Sequence, residues 1–154
     1  MHDEYCGNTH PGYAAPMPLH GHRWLDIRQR EQGVDARLVF TRRKTWELQS
    51  GPFTERDFTS LPETNWTLLV QDMDKWDADV RALLDHFRFL PAWRVDDVMI
   101  SFATPGGSVG PHVDQYDVFL LQALGRRRWQ VDAAPDAPRG FREDVELKLL
   151  QRFT

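Results

Sequence analysis

Between Ser101 and Val131 the chain reads SFATPGGSVGPHVDQYDVFLLQALGRRRWQV, and one stretch inside it limits the fold most strongly. Thr104, Pro105, Gly106, Gly107, Ser108, Val109, Gly110 and Pro111 put three glycines and two prolines in eight residues, which neither a helix interior nor a central strand absorbs. An apolar run from Asp97 to Ala103 leads into this turn. A second run, Tyr116 to Gln122 with Val118, Phe119, Leu120 and Leu121, lies beyond it. Apolar β-type runs on both sides of a breaker-rich turn predict sheet, with the turn at its mouth. A plain hairpin loop has the same composition, so the turn alone names no function.

The residues just after the turn carry chemistry. His112 and Asp114 stand two apart, and on a strand residues i and i+2 face the same side. An imidazole and a carboxylate would then be offered together to one metal ion. Two histidines and one carboxylate form the facial triad of non-haem Fe(II) oxygenases, which leaves positions open for a co-substrate and O2. An isolated H-x-D supplies two of those three ligands and is a weak signal. Binding requires a neutral imidazole, so metal affinity is expected to fall below about pH 6.

Past the Ala123-Leu124-Gly125 turn comes Arg126-Arg127-Arg128-Trp129-Gln130-Val131. Alternation places Arg127 with Trp129 and Val131, and Arg126 and Arg128 with Gln130 on the other side. A guanidinium among apolar residues needs an anion, commonly a bidentate carboxylate. That carboxylate is either an internal Asp or Glu, or, beside a metal pair, a small dicarboxylate ligand. Ser101, in the apolar strand before the turn, carries a hydroxyl that needs a partner, which structure alone can provide.

These residues resemble the bacterial ribosomal oxygenases of the Jumonji-C class, 2-oxoglutarate-dependent arginine hydroxylases acting on a large-subunit ribosomal protein. The resemblance runs from about Val34 to about Val131, through WELQSGPF, ETNWTLLVQ, LPAWRVDDVMISF, PGGSVGPHVDQYDVFLLQ and GRRRWQV. It implies a mainly β fold with flanking helices, the cupin-like double-stranded β-helix, here cut before its barrel closes. It further implies Fe(II) held by His112 and Asp114, and the distal carboxylate of 2-oxoglutarate held by Arg127 with a hydroxyl contact from Ser101. The implied reaction consumes O2, releases succinate and leaves a hydroxyl on the β-carbon of an arginine in a 50S ribosomal protein. The family places its second ligating histidine on a later strand, and no histidine follows His112 here. The chain is therefore expected to be the first part of the catalytic domain, inactive by itself. Two alternatives stay open: a non-catalytic fragment, and a cupin that keeps the metal and acts on a small molecule.

Composition agrees with this and excludes other classes. A length of 154 residues, 41% hydrophobic and 27% charged, suits about one globular domain. A net charge of -4 argues against a direct nucleic-acid binder. Single Cys6 cannot form an internal disulfide, which fits a reducing cytoplasm. No apolar run approaches the ~20 residues of a membrane span.

Along the chain, residues 1–32 read as a poorly ordered leader, despite a His20-Gly21-His22 pair, and 33–154 as the catalytic-domain portion. Asp35 to Thr41 and Lys44 to Gln49 predict a hairpin, Phe53 to Leu61 a turn of helix, and Asn65 to Met73 a buried strand. Trp76, Val80, Leu83, Leu84 and Phe87 predict one helix, with Asp74 as N-cap, Lys75, Asp77, Asp79 and Arg81 towards water, and Pro91 beyond its end. Asp132 to Gly140 reads as a surface connection, and Glu143 to Phe153 begins a new element.

Overall fold

The computed structural model describes residues 34–43, 45–132, 140–143 and 148–150. The expected leader, with its histidine pair, and most of the connection and element after Asp132 lie outside the described residues.

Ala36–Arg42 (β1) and Thr45–Ser50 (β2) form the expected hairpin, with Arg42 opposite Thr45 and Arg37 opposite Ser50. Trp66–Val70 (β3) pairs antiparallel with the other edge of β1, and Ile100–Ala103 (β4) pairs antiparallel with β3. The order is β2-β1-β3-β4, an open antiparallel sheet flanked by short helices and not closed into a barrel among the described residues. This is the mainly β architecture that the sequence predicts, without its closure.

Residues directly opposite in an antiparallel pair project to the same side, so the register divides the sheet into two faces. One face carries Ala36, Leu38, Phe40, Leu68, Val70 and Ile100, and builds the core with Phe53, Met73 and Val80. Leu38 and Met73 lose essentially all contact with water there. On the other face are Val39, Thr41, Trp46, Thr67, Ser101 and Ala103. Helices Glu55–Thr59 (α1), Met73–Trp76 (α2) and Ala78–Leu83 (α3), whose Val80 enters the core, leave that second face to the glycine-rich loop.

Four elements depart from expectation. The single helix predicted through Trp76 and Phe87 is two helices and a 3-10 turn, Leu84–Phe87. Asp77 breaks it: in extended conformation, its side chain accepts from Asp79 N at 2.8 Å and Val80 N at 3.2 Å and caps α3. A short acidic side chain competes for backbone N–H groups in this way, so Asp77 is buried and not turned to water. Asp74 caps nothing; its carboxylate accepts from Val98 N at 2.9 Å.

The strand expected from Asp97 begins only at Ile100, because the chain before it is held by side chains. Asp97 accepts from Asp72 N and Gln71 Nε2, while Met73 N donates to Val98 O. Asp72, at φ 58, is where β3 turns into α2.

The strand predicted from Tyr116 to Gln122 is absent. That run pairs with no strand among the described residues, and Phe119, Leu120 and Leu121 remain exposed. β-propensity expresses packing on neighbouring strands, and this run has no strand partner to realise it, its Phe119 ring lying instead 4.9 Å from that of Phe87. Arg126 to Val131 likewise forms no strand. No helix among the described residues is long and apolar enough to cross a membrane.

Candidate functional site

The glycine-rich turn is laid on the second face of the sheet by its own backbone. Thr104 N and Oγ1 both donate to Trp66 O, Asn65 N donates to Pro105 O, and Ser108 N donates to Thr41 Oγ1 at 3.1 Å. A Cβ on Gly107 would stand 2.2 Å from Trp66 O, so only glycine lets the loop lie this close to β3. Gly110, at φ +77, turns the chain into Pro111 and His112.

His112 and Asp114 come together as their spacing suggests, although on an irregular segment and not a strand. Nε2 of His112 lies 3.7 Å from Oδ2 of Asp114, and both side chains are partly open to solvent. The other ring nitrogen, Nδ1, sits 2.8 Å from Gly110 O. A carbonyl only accepts, so Nδ1 donates to it, and in the neutral form of the ring Nε2 is left with its lone pair on the side where the carboxylate lies. A ring nitrogen lone pair and a carboxylate oxygen facing one another across this distance form two donors that one cation could share. A backbone carbonyl behind a histidine is also how ligating imidazoles are oriented, so this donor set fits a divalent metal. No group of three or more His, Cys, Asp or Glu suited to a metal occurs among the described residues.

A second pair forms across 26 residues of chain. Arg127 Nη1 donates to Ser101 Oγ at 2.9 Å, and the Arg127 guanidinium carbon lies 5.5 Å from the centre of the Trp129 ring. Ser101 extends from the second face of the sheet, opposite Leu69. Thr67 Oγ1 and Trp46 Nε1, on that same face, and Gln130 Oε1 are buried with no hydrogen-bond partner among the described residues. Polar atoms withdrawn from water normally find partners, so this face retains capacity for a polar guest. None of these three was visible in the sequence as a site residue. For Thr67 and Trp46 the facing direction depends on strand register, which residue type does not reveal.

The sequence predicts a new element around residue 149 but not that it packs against His112. His112 and Leu149 form an antiparallel bridge, Leu150 N donates to Pro111 O at 2.8 Å, and Leu149 is fully buried.

Residues 82–154 match the family model described as the JmjC domain. The chain is a JmjC-domain homologue of the ribosomal oxygenases. It is 54% identical over 101 residues to the ribosomal protein uL16 3-hydroxylase of Escherichia coli, covering 66% of this chain and 26% of that protein. Against a Haemophilus influenzae protein named a probable ribosomal oxygenase, it is 42% identical over 126 residues, 81% of this chain and 31% of the relative. Among solved structures, YcfD, a ribosomal oxygenase from Escherichia coli in complex with cobalt and 2-oxoglutarate, matches with a TM-score of 0.56 and 47% identity. That match covers 62% of this chain and 26% of the YcfD chain. The chain thus spans less than a third of the length of these relatives, and the JmjC match takes in His112, Asp114, Ser101 and Arg127.

Proposed function

We propose that this chain supplies part of the active site of a 2-oxoglutarate- and Fe(II)-dependent oxygenase that hydroxylates the β-carbon of an arginine in a large-subunit ribosomal protein. The observation that carries the reading is the donor pair: Nε2 of His112 faces Oδ2 of Asp114 at 3.7 Å, with Nδ1 of the ring committed to Gly110 O. The uL16 3-hydroxylase name of one relative and the cobalt and 2-oxoglutarate bound to another support the substrate class and the co-substrate. Its setting would be the cytoplasm, with the ribosomal protein as partner, and its domain the portion from residue 33 onward.

In this reading His112 and Asp114 hold the metal, and Arg127 and Ser101 hold the distal carboxylate of 2-oxoglutarate. The chemistry supplied by metal and co-substrate when bound is oxidative: O2 is consumed, 2-oxoglutarate becomes succinate and CO2, and a substrate C–H becomes C–OH. The chain's own share is placement. Ser101 Oγ accepts from Arg127 and keeps its own proton to donate to an anionic oxygen, beside the remaining N–H groups of the guanidinium. The Trp129 ring shields one side of that cation from water. With two protein ligands assigned, this chain alone is expected to bind metal weakly and not to turn over.

Binding of 2-oxoglutarate to the Mn(II)-loaded protein, followed by calorimetry, tests the reading. Removing a charged hydrogen-bond partner costs about 1.5–3 kcal/mol, so Arg127→Ala should weaken 2-oxoglutarate roughly 10- to 100-fold while sparing Mn(II). Undiminished 2-oxoglutarate binding in that variant would overturn the co-substrate assignment and favour a cupin acting on another small molecule.

A further inference from the structure

We infer that Leu149 and Trp46 are positioning residues for His112, acting through the Gly110 carbonyl that selects the imidazole tautomer. This rests on His112 being a metal ligand.

The tautomer that exposes Nε2 depends on one contact, Nδ1 to Gly110 O at 2.8 Å. That carbonyl is aimed by a residue in the left-handed region, φ +77, where only glycine sits without strain. Gly110 is wedged on two sides. A Cβ there would lie 2.8 Å from Leu149 Cδ2 and 2.9 Å from Trp46 Cε2, so both side chains stand directly beside this glycine. The wedge is also tied to the chain at Pro111 and at His112 itself. Leu150 N donates to Pro111 O at 2.8 Å, His112 bridges Leu149, and Arg142 N donates to Leu149 O at 2.8 Å.

Leu149 is buried to 1% exposure, on a segment that crosses back over the ligand strap from 37 positions later in the chain. Trp46 comes from the edge strand β2, opposite Thr41, whose hydroxyl binds the same loop at Ser108. Its ring is held against Gly110 although the buried Nε1 has no acceptor among the described residues. Two elements distant in sequence therefore close on one glycine, and the consequence falls on the ring two residues further on.

The test reads the His112 imidazole 15N and 1H shifts in the metal-free full chain, and Co(II) affinity separately. The wild-type ring should show one tautomer, protonated at Nδ1. Leu149→Ala should give a mixture of tautomers and bind Co(II) about tenfold more weakly, the usual scale for groups that orient a metal ligand. Leu149→Met, which refills the space, should restore both. Trp46→Phe keeps an aromatic ring on Gly110 and should leave the tautomer unchanged.

If Leu149→Ala lowers the unfolding temperature yet keeps the single tautomer and the Co(II) affinity, Leu149 is merely structural and the inference fails. If it does not fold, Leu149→Val answers the same question under the same criteria. Asp114→Ala separates the two claims, since it should lose Co(II) and keep the tautomer. A wild-type chain with one tautomer and no Co(II) binding would sink the metal reading and leave the positioning result standing.

Discussion

At Gly107 the margin is a single methyl group: the Cβ of any other residue would meet the backbone oxygen of Trp66, which β3 holds in the sheet. Gly107→Ala is therefore expected to lift the glycine-rich loop from the sheet and cost about 1–3 kcal/mol, the range for overpacking, read as a lower urea midpoint. Because His112 hangs from the end of this loop, the same variant should also weaken metal binding. Gly106 offers a contrast, since its Cβ would meet the Asn65 side chain, which can move, although φ +76 still disfavours alanine there. Ser101 and Arg127 make the converse point. Each is unremarkable as a residue type, and their 2.9 Å contact becomes informative only when the other is seen beside it.

Among elements, the helices around residue 77 turn on one carboxylate. Asp77→Ala removes the acceptor for two N–H groups of α3, at an expected cost of about 1 kcal/mol in denaturant unfolding. A second cap adds a pH dependence. In α1, the Asp57 carboxylate accepts from Thr54 N at 2.6 Å and from Thr54 Oγ1 at 2.8 Å, and these bonds, the backbone one foremost, hold it below the usual 3.8. A carboxyl group with a depressed folded pKa stabilises fully above its unfolded value, and that contribution disappears as pH falls through the folded one. The stability advantage of the native chain over Asp57→Asn should therefore be present at pH 6 and shrink below 3.8. Urea unfolding at both pH values checks it, and an advantage unchanged by acid would exclude the cap.

At the scale of the whole molecule, the sheet separates stability from chemistry. Leu38, fully buried at the centre of the sheet among Phe53, Val70 and Met73, belongs to the supporting face, and Leu38→Ala should cost about 2–5 kcal/mol by chemical denaturation. That variant makes no contact with the opposite face, so any loss of metal or 2-oxoglutarate binding should follow its loss of folded protein and no more.

What the sequence determined alone was local: the β1–β2 hairpin from alternation, the loop from its glycines and prolines, and the His112–Asp114 pair from a spacing of two. Such features depend on neighbours within a few residues, whose geometry the backbone restricts. Resemblance to a family added Ser101 and Arg127 as partners before any contact between them was known. Tertiary structure decided the rest. The run from Tyr116 to Gln122 has strand composition and no strand partner among the described residues, while Asp77 reads as a solvent-facing helix residue until its buried cap is seen. The meeting of Leu149 and Trp46 on Gly110 depends on which strands pair and in what register, a non-local outcome that no window of sequence contains.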